Sequence, residues 1–386
     1  MNDGEIYVRG WGAVTSLGWS AAEAARRLIA GEVAPAGACV SSHLVNRDFK
    51  AFEVAYNGNP LDKAMAMLWS ALDEAFAMAR LSADEIAESS LFVGTTGGLF
   101  IRNEYEFTES VRKNPGKDAP PISCRNRGPG EVADLIAGQY GIRGMAMTFS
   151  MACVSSSHAL VVAADLLRRG KIRRAVIVGF EPLLNMTLHG FASLLLFDYD
   201  QCRPFCVRRA GMQIGEGAGV ILLDRGKSFS SKYRICGGHQ YNDIKSMTSA
   251  GIDGVTVSDV VQHSLNAARV AADDVVAIKA HGTGTRDNDL SEGRGLMKCF
   301  REKLPPVVSL KGAIGHTLGA AGAVETALWL SCCEEGVIPR SFGFSQTDPE
   351  IGFAPLQQNI AARNGAYLFT FFGFGGTCSS YLMIKE

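Results

Sequence analysis

A chain of 386 residues, 47% of them hydrophobic, with a mean hydropathy of +0.08, can bury a large core and exceeds one typical domain. Its 38 basic and 39 acidic side chains leave a formal net charge of −1, which removes any whole-chain electrostatic case for nucleic acid or a membrane surface. No apolar run approaches the ~18 residues of a membrane-spanning helix. Ten scattered cysteines with no CxxC pair, behind an N-terminus without a signal-peptide pattern, point to a soluble protein of the reducing cytoplasm.

In chain order, residues 6–18 read as a strand running into a glycine-rich turn, and Ser20 caps an alanine-rich helix ending at Gly31. Residues 35–60 read as irregular, and a helix over 61–80 leads to a strand at 90–94 and the turn Thr95-Thr-Gly-Gly98. The polar stretch 103–129, with prolines at 115, 120, 121 and 129, suits an excursion rather than a core element. A helix over 131–140 precedes the strand that approaches Cys153, and buried strands follow at 174–180 and 218–224. The second half repeats the plan: helix 253–272, strands 275–280 and 306–310, a long helix 318–335, and strands 367–372 and 379–384. Strands alternating with helices make the class α/β.

Thr148-Phe-Ser-Met-Ala-Cys153-Val-Ser-Ser-Ser-His158 is an apolar approach that becomes a run of small residues at a lone cysteine. This reads as strand, sharp turn and helix, with Cys153 at the helix's first turn. Helix N-terminal N–H groups lower a thiol's ordinary pKa of ~8.5, so the expectation here is a reactive thiol. His316-Thr-Leu-Gly-Ala-Ala-Gly-Ala repeats the pattern after its own strand and turn, and two similar halves facing one another bring both turns to one site.

His281-Gly-Thr-Gly-Thr285 follows a strand directly, where α/β active sites gather. Lys311 stands five residues before His316, and a nearby ammonium holds an imidazole neutral. Glu325 either holds Lys311 or faces water. Gly373-Phe-Gly-Gly-Thr-Cys378 suits a flexible loop beside a tunnel or a plain chain reversal, and Gly215-Glu-Gly-Ala-Gly219 lacks the spacing and strand order of a nucleotide fingerprint. The pairs Cys202/Cys206 and Cys332/Cys333 do not fit a zinc site.

Taken together, Gly10-Trp-Gly-Ala-Val-Thr-Ser-Leu-Gly18, Ala152-Cys153 with its serines, Gly190-Phe-Ala-Ser, Cys202-Arg-Pro-Phe205, Gly215–Gly219, His281–Thr285, Lys311 with His316 and Gly319–Gly322, and Gly373–Gly376 span almost the whole chain. In these motifs the chain resembles the β-ketoacyl-acyl carrier protein synthases, condensing enzymes of the thiolase-like superfamily.

The resemblance implies a layered αβαβα fold of two related halves, residues 1–235 and 236–386, and a dimer with itself or with a ketosynthase-like subunit. It implies a Cys-His-His site at Cys153, His281 and His316, and an oxyanion hole from the N–H groups of Cys153 and Phe374. Phe374 also matches a gating residue, Thr283 and Thr285 match contacts to the phosphopantetheine arm, and Lys311 with Glu325 matches a supporting pair. No metal or redox cofactor is implied. The expected reaction is decarboxylative condensation of an acyl group on Cys153 with a malonyl thioester, in fatty-acid or type II polyketide or polyene synthesis.

The carrier protein is the expected partner, with Arg203 first, then Lys63, Arg208 and the basic run 168–174, as cations for its acidic surface. The chain departs from the family's usual residues at Ser150-Met151, Lys279 (commonly Glu), Cys206, Ala210, Asn288 and Cys378. A chain-length-factor-like silent subunit is the alternative reading, and a thiolase a weaker one.

Overall fold

The computed structural model describes residues 4–34, 38–41, 48–114, 128–226, 231–243 and 251–386. The first half runs β1 (Ile6–Val14), α1 (Ala21–Ile29), the short pair β2 (Ala38–Ser41) and β3 (Asp48–Ala51), α2 (Pro60–Ala79), α3 (Ala83–Ala87), β4 (Ser90–Gly94), α4 (Phe100–Lys113) and α5 (Glu131–Tyr140). It continues through β5 (Ala146–Phe149), α6 (Ser155–Arg168), β6 (Arg174–Glu181), α7 (Asn185–Ser193) and β7 (Gly217–Arg225). The second half is β8 (Tyr233–Asn242), α8 (Val255–Ala268), β9 (Val275–Lys279), α9 (Arg286–Phe300), β10 (Val307–Val308), α10 (Lys311–Ile314), α11 (Ala321–Glu334), β11 (Val337–Ile338), β12 (Ile360–Ala361), β13 (Gly365–Gly373) and β14 (Thr377–Lys385).

Ten strands share one mixed sheet in the order β10-β9-β13-β14-β8-β1-β7-β6-β4-β5. Numbered within its own half, each set of five has the same order, 3-2-4-5-1, and the two sets meet where Ile6 and Tyr7 of β1 pair with Ile235 and Arg234 of β8. The 235/236 division expected from sequence falls inside β8.

Three buried clusters give the layering. One unites α1, α6 and α11 between the two sets of strands, a second packs α2 and α5 on the outer face of the first set, and a third packs α8 and α9 on the outer face of the second. α11 is buried on every side from Ala321 to Cys333, which is why it carries no polar face. It crosses α6 closely enough that a Cβ at Gly322 would stand 2.2 Å from the Ser157 nitrogen, so only glycine fits. α6 and α11 are the helices that leave the Cys153 and His316 turns, and their contact brings those turns together.

The structure departs from the sequence reading at several elements, the unexpected short helices α3, α7 and α10 and the β11/β12 pair among them. Part of the supposed polar excursion is the helix α4, with Ile101 and Asn103 buried; the prolines at 115, 120 and 121 lie outside the described residues. Residues 35–60 contain the β2/β3 pair. Strand β8 and helix α9 were not expected. In α9 two glycines obscure the helical pattern, and each sits against a neighbour, with a Cβ at Gly295 falling 2.4 Å from Val257 Cβ. No helix among the described residues is long and apolar enough to cross a membrane.

Candidate active site

β5 delivers the chain to a tight turn at Met151–Cys153, after which α6 starts at Ser155. Ala152 takes φ +48°, a left-handed conformation that disfavours any side chain and excludes branched ones. Ser155 braces the turn: its hydroxyl donates to the Ala152 carbonyl (2.6 Å) and accepts from the Met151 N–H (2.9 Å). Replacing Ala152 with Val is therefore expected to destabilise the fold by about 1–3 kcal/mol and to slow acylation of Cys153, while Ala152→Gly keeps both. Thermal denaturation and intact-mass acylation of the two variants check this.

Cys153 is buried, and burial pushes its thiol up to about 12. The Lys311 ammonium and the N–H groups of Cys153 and Phe374, both within reach of Sγ, pull it back down, and the Glu181 carboxylate opposes them. The net shift is therefore upward, opposite to the sequence expectation, because loss of solvation outweighs the local N–H groups.

His281 leaves the end of β9 and His316 follows α10, and their rings meet edge to face with centroids 5.1 Å apart. The Leu318 N–H donates to His316 Nδ1 (3.2 Å), which leaves the proton on Nε2, a buried atom without a partner among the described residues. Lys311 Nζ lies 3.3 Å from His281 Nδ1 and donates to the His281 carbonyl (2.7 Å), giving the same tautomer there. Its direct contact is thus with His281 rather than with the His316 of its own segment. Both imidazoles are held well below the usual histidine range, by burial first and then by the Lys311 charge. Glu325 answers Lys311 at 2.6 Å with both side chains fully buried.

Four carboxylates not singled out from the sequence organise these turns. Glu292 accepts the N–H groups of His281 and Gly282 (2.7 Å each), and Asp289 those of Phe205, Thr283 and Gly284. Glu181 accepts from Thr96, Gly97 and Gly319, so it ties the turn after β4 to the His316 turn, and burial lifts its pKa to about 7. Glu216, in the Gly215–Gly219 motif, takes Lys63 at 2.7 Å and the Val54 N–H. The neighbouring Gly215 N–H donates to the His316 carbonyl (3.0 Å), so the motif seats a histidine rather than a nucleotide.

Cys153, His281, His316, Thr283, Thr285 and Phe374 line one cavity of about 350 Å³. Cys153 and Phe374 also border a second, of about 400 Å³, with Thr96, Thr187, Gly190 and Phe191. The Phe374 ring lies 5.6 Å from that of Phe191. The Thr283 and Thr285 hydroxyls are 2.8 Å apart.

Residues 9–228 match the profile "Beta-ketoacyl synthase, N-terminal domain" and residues 234–345 its C-terminal counterpart. The chain belongs to the β-ketoacyl synthase family. It is an acyltransferase of the ketosynthase type.

The ketosynthase is 27% identical over 307 residues to the 3-oxoacyl-[acyl-carrier-protein] synthase 2 of Mycobacterium tuberculosis, covering 76% of this chain and 74% of the relative. It is 29% identical over 279 residues to the tetracenomycin polyketide synthase ketoacyl synthase alpha subunit of Streptomyces glaucescens, covering 67% and 64%. Among solved structures it superposes on the ishigamide ketosynthase/chain length factor with a TM-score of 0.88, at 22% identity over 99% of both chains. It superposes on the Xenorhabdus doucetiae ketosynthase in complex with its chain length factor with a TM-score of 0.84, at 23% identity over 99% of this chain and 98% of that one.

The ketosynthase treats the expected docking cations unequally. Lys63 is buried and bound by Glu53 and Glu216, which takes it off the surface. Arg203 is a fifth exposed and engaged by Asp198 and Asp200. Arg208 is exposed and donates to Ser345. In the run 168–174, Arg174 is buried against Asp224 and Glu85, and the rest begins at the far end of α6, about 20 Å from Cys153. Arg286, not considered from the sequence, lines the first cavity from the exposed start of α9.

Proposed function

We propose that the chain is a type II β-ketoacyl-carrier-protein synthase that catalyses decarboxylative condensation. The observation that carries this reading is the meeting of a buried cysteine and two neutral imidazoles in one cavity, beside two backbone N–H groups. Cys153 attacks the carbonyl of an acyl-carrier thioester, the N–H groups of Cys153 and Phe374 hold the oxyanion, and the carrier thiol leaves with the proton lost by Sγ. A malonyl thioester then enters and loses CO2. His281 and His316 donate from Nε2 to the enolate oxygen, the enolate carbon attacks the acyl carbonyl, and Sγ leaves and is reprotonated. Phe374 divides the cavity that receives the carrier's arm, past Thr283 and Thr285, from the one that receives the acyl chain. Lys311 and Glu325 support His281.

Strand β5 is an edge of the sheet with Met145 and Met147 exposed beside it (45% and 38%), which suits pairing with a second ketosynthase-like subunit. We assign the carrier's acidic face to Arg203, Arg208 and Arg286, and the two halves to residues before and after about 235. The pathway is fatty-acid or type II polyketide assembly.

Purified protein, alone and co-expressed with its partner subunit, is expected to form a β-ketoacyl thioester from acyl- and malonyl-carrier protein, read by mass spectrometry. If the partner alone becomes acylated and this chain never does, the chain-length-factor-like reading replaces this one.

A further inference from the structure

The condensation as described leaves one buried charge without a task. Lys279 ends β9 two residues before His281, and its side chain is fully buried. Its Nζ stands 2.6 Å from Glu325 Oε2 and 3.3 Å from the Thr370 carbonyl, and lies 3.4 Å from the centroid of the Phe371 ring. Lys311 takes the other oxygen of the same carboxylate, also at 2.6 Å. One carboxylate thus lies between two ammoniums in a site without water-exposed surface.

The charged and titratable groups around the two imidazoles include Glu181 of β6 behind the His316 turn, Asp289 of α9 under the Thr283 and Gly284 N–H groups, and the Cys153 thiol in the same cavity. β9 supplies Lys279, α10 Lys311, α11 Glu325 and α9 Glu292, while β13 contributes only the neutral Thr370 and Phe371. Glu292 is occupied by the His281 and Gly282 N–H groups and the Thr370 hydroxyl (2.7 Å each). A neutral side chain at 279 would make the net charge of this group one unit more negative, which favours imidazolium. An imidazolium would hand its proton to the enolate and quench the nucleophile.

We propose that Lys279 is a positioning residue for the condensation: it shares Glu325 with Lys311, so that a positive field remains on His281 and His316 and keeps both rings neutral with the proton on Nε2. This rests on the ketosynthase reading. The Lys279 charge contributes to the depression of both imidazoles, after burial and Lys311 at His316, and after burial, Lys311 and His316 at His281.

The test uses the full chain, with its partner subunit where one is required, ¹⁵N-labelled at histidine and titrated by NMR from pH 8 to the acid limit of folding. His281→Ala and His316→Ala spectra assign the two rings. Relative to wild type, Lys279→Met and Lys279→Gln are expected to move protonation of at least one ring up by roughly one pH unit, and Lys279→Arg to leave it in place. The acid limb of condensation moves up by the same amount, whereas single-turnover acylation at pH 7.5 does not change.

Superimposable titrations overturn the proposal, as does a fall in rate by one constant factor at every pH. Failure of both neutral variants to fold, with Lys279→Arg folded, assigns the residue to stability and also overturns it. Absence of condensation in the wild-type complex defeats the ketosynthase reading, and the NMR comparison still reports on the field.

Discussion

Cys153→Ala protein is expected to take up no acyl group from an acyl-carrier thioester and to condense at least about 10⁴-fold more slowly than wild type. Among the described residues lining the cavity, the thiol is the nucleophile beside the Cys153 and Phe374 N–H groups, which hold charge but form no bond. The alanine leaves the turn intact, since Ala152 and Ser155 set its geometry, so intact mass and kinetics report on chemistry rather than on folding. Retained acylation of the variant, mapped to another residue, would remove Cys153 from the mechanism. The same thiol predicts a pH signature. With its pKa pushed up to about 12 by burial, the thiolate fraction grows about tenfold per pH unit through neutrality. Alkylation of Cys153 by iodoacetamide, followed by peptide mapping, is therefore expected to keep rising to pH 10. A plateau near pH 7 would mean that the N–H groups and Lys311 dominate over burial.

Glu325→Ala is expected to be the most destabilising single change at the site, by about 3–5 kcal/mol at neutral pH. The substitution leaves Lys279 and Lys311 fully buried without the carboxylate that binds both. The wild-type shifts show how the three charges balance. Burial pushes the Glu325 pKa up, but the two ammoniums outweigh it and hold the group below the usual carboxylate range. Lys279 is held below the usual lysine range, by burial first, with the attraction of Glu325 opposed by Lys311. One carboxylate gains from two cations, whereas the attraction of Lys279 to Glu325 is offset by its repulsion from Lys311.

The sign of the pH dependence follows. A carboxylate depressed in the fold contributes stability that is present above its unfolded pKa of ~4.3 and lost as pH falls through the folded value. The gap between wild type and Glu325→Ala should therefore close in acid. It should also narrow as pH rises toward ~10.4, where unfolded lysine loses its proton, because Lys279, already held below the usual lysine range, loses the attraction of Glu325 in the variant, whose stability then climbs more steeply with pH. Denaturant titrations at pH 4, 7 and 9.5 measure this; a gap constant across the three, or none at pH 7, contradicts the buried-charge account.

The parts of the site legible in the sequence are those written in adjacent residues. The strand, turn and small-residue helix around Cys153, the glycines and threonines after His281, and the Lys311–His316 segment each form local structure by themselves. The carboxylates were not legible in the same way. Glu292 and Asp289 lie on α9, whose charged, glycine-containing run hides its helical period, and within their own segment they fold back onto N–H groups five to eleven residues earlier. Glu181 reaches Gly319 across 138 residues. Lys63 read as a surface cation because a lysine on a helix usually is one, and only its packing against Glu216 shows otherwise.

The sequence by itself determined the alternation of strands and helices and the turns that carry Cys153, His281 and His316, because these depend on neighbours within a few residues. Tertiary structure alone decided the protonation and charge state of these side chains. The N–H groups that lower a thiol's pKa in water are outweighed at Cys153 by burial, and Lys279 becomes a partner of Glu325 only by a contact between β9 and α11 that joins residues 46 apart in the chain. Desolvation and charge pairing are set by what surrounds a group in space, and that is fixed by which long-range surfaces pack.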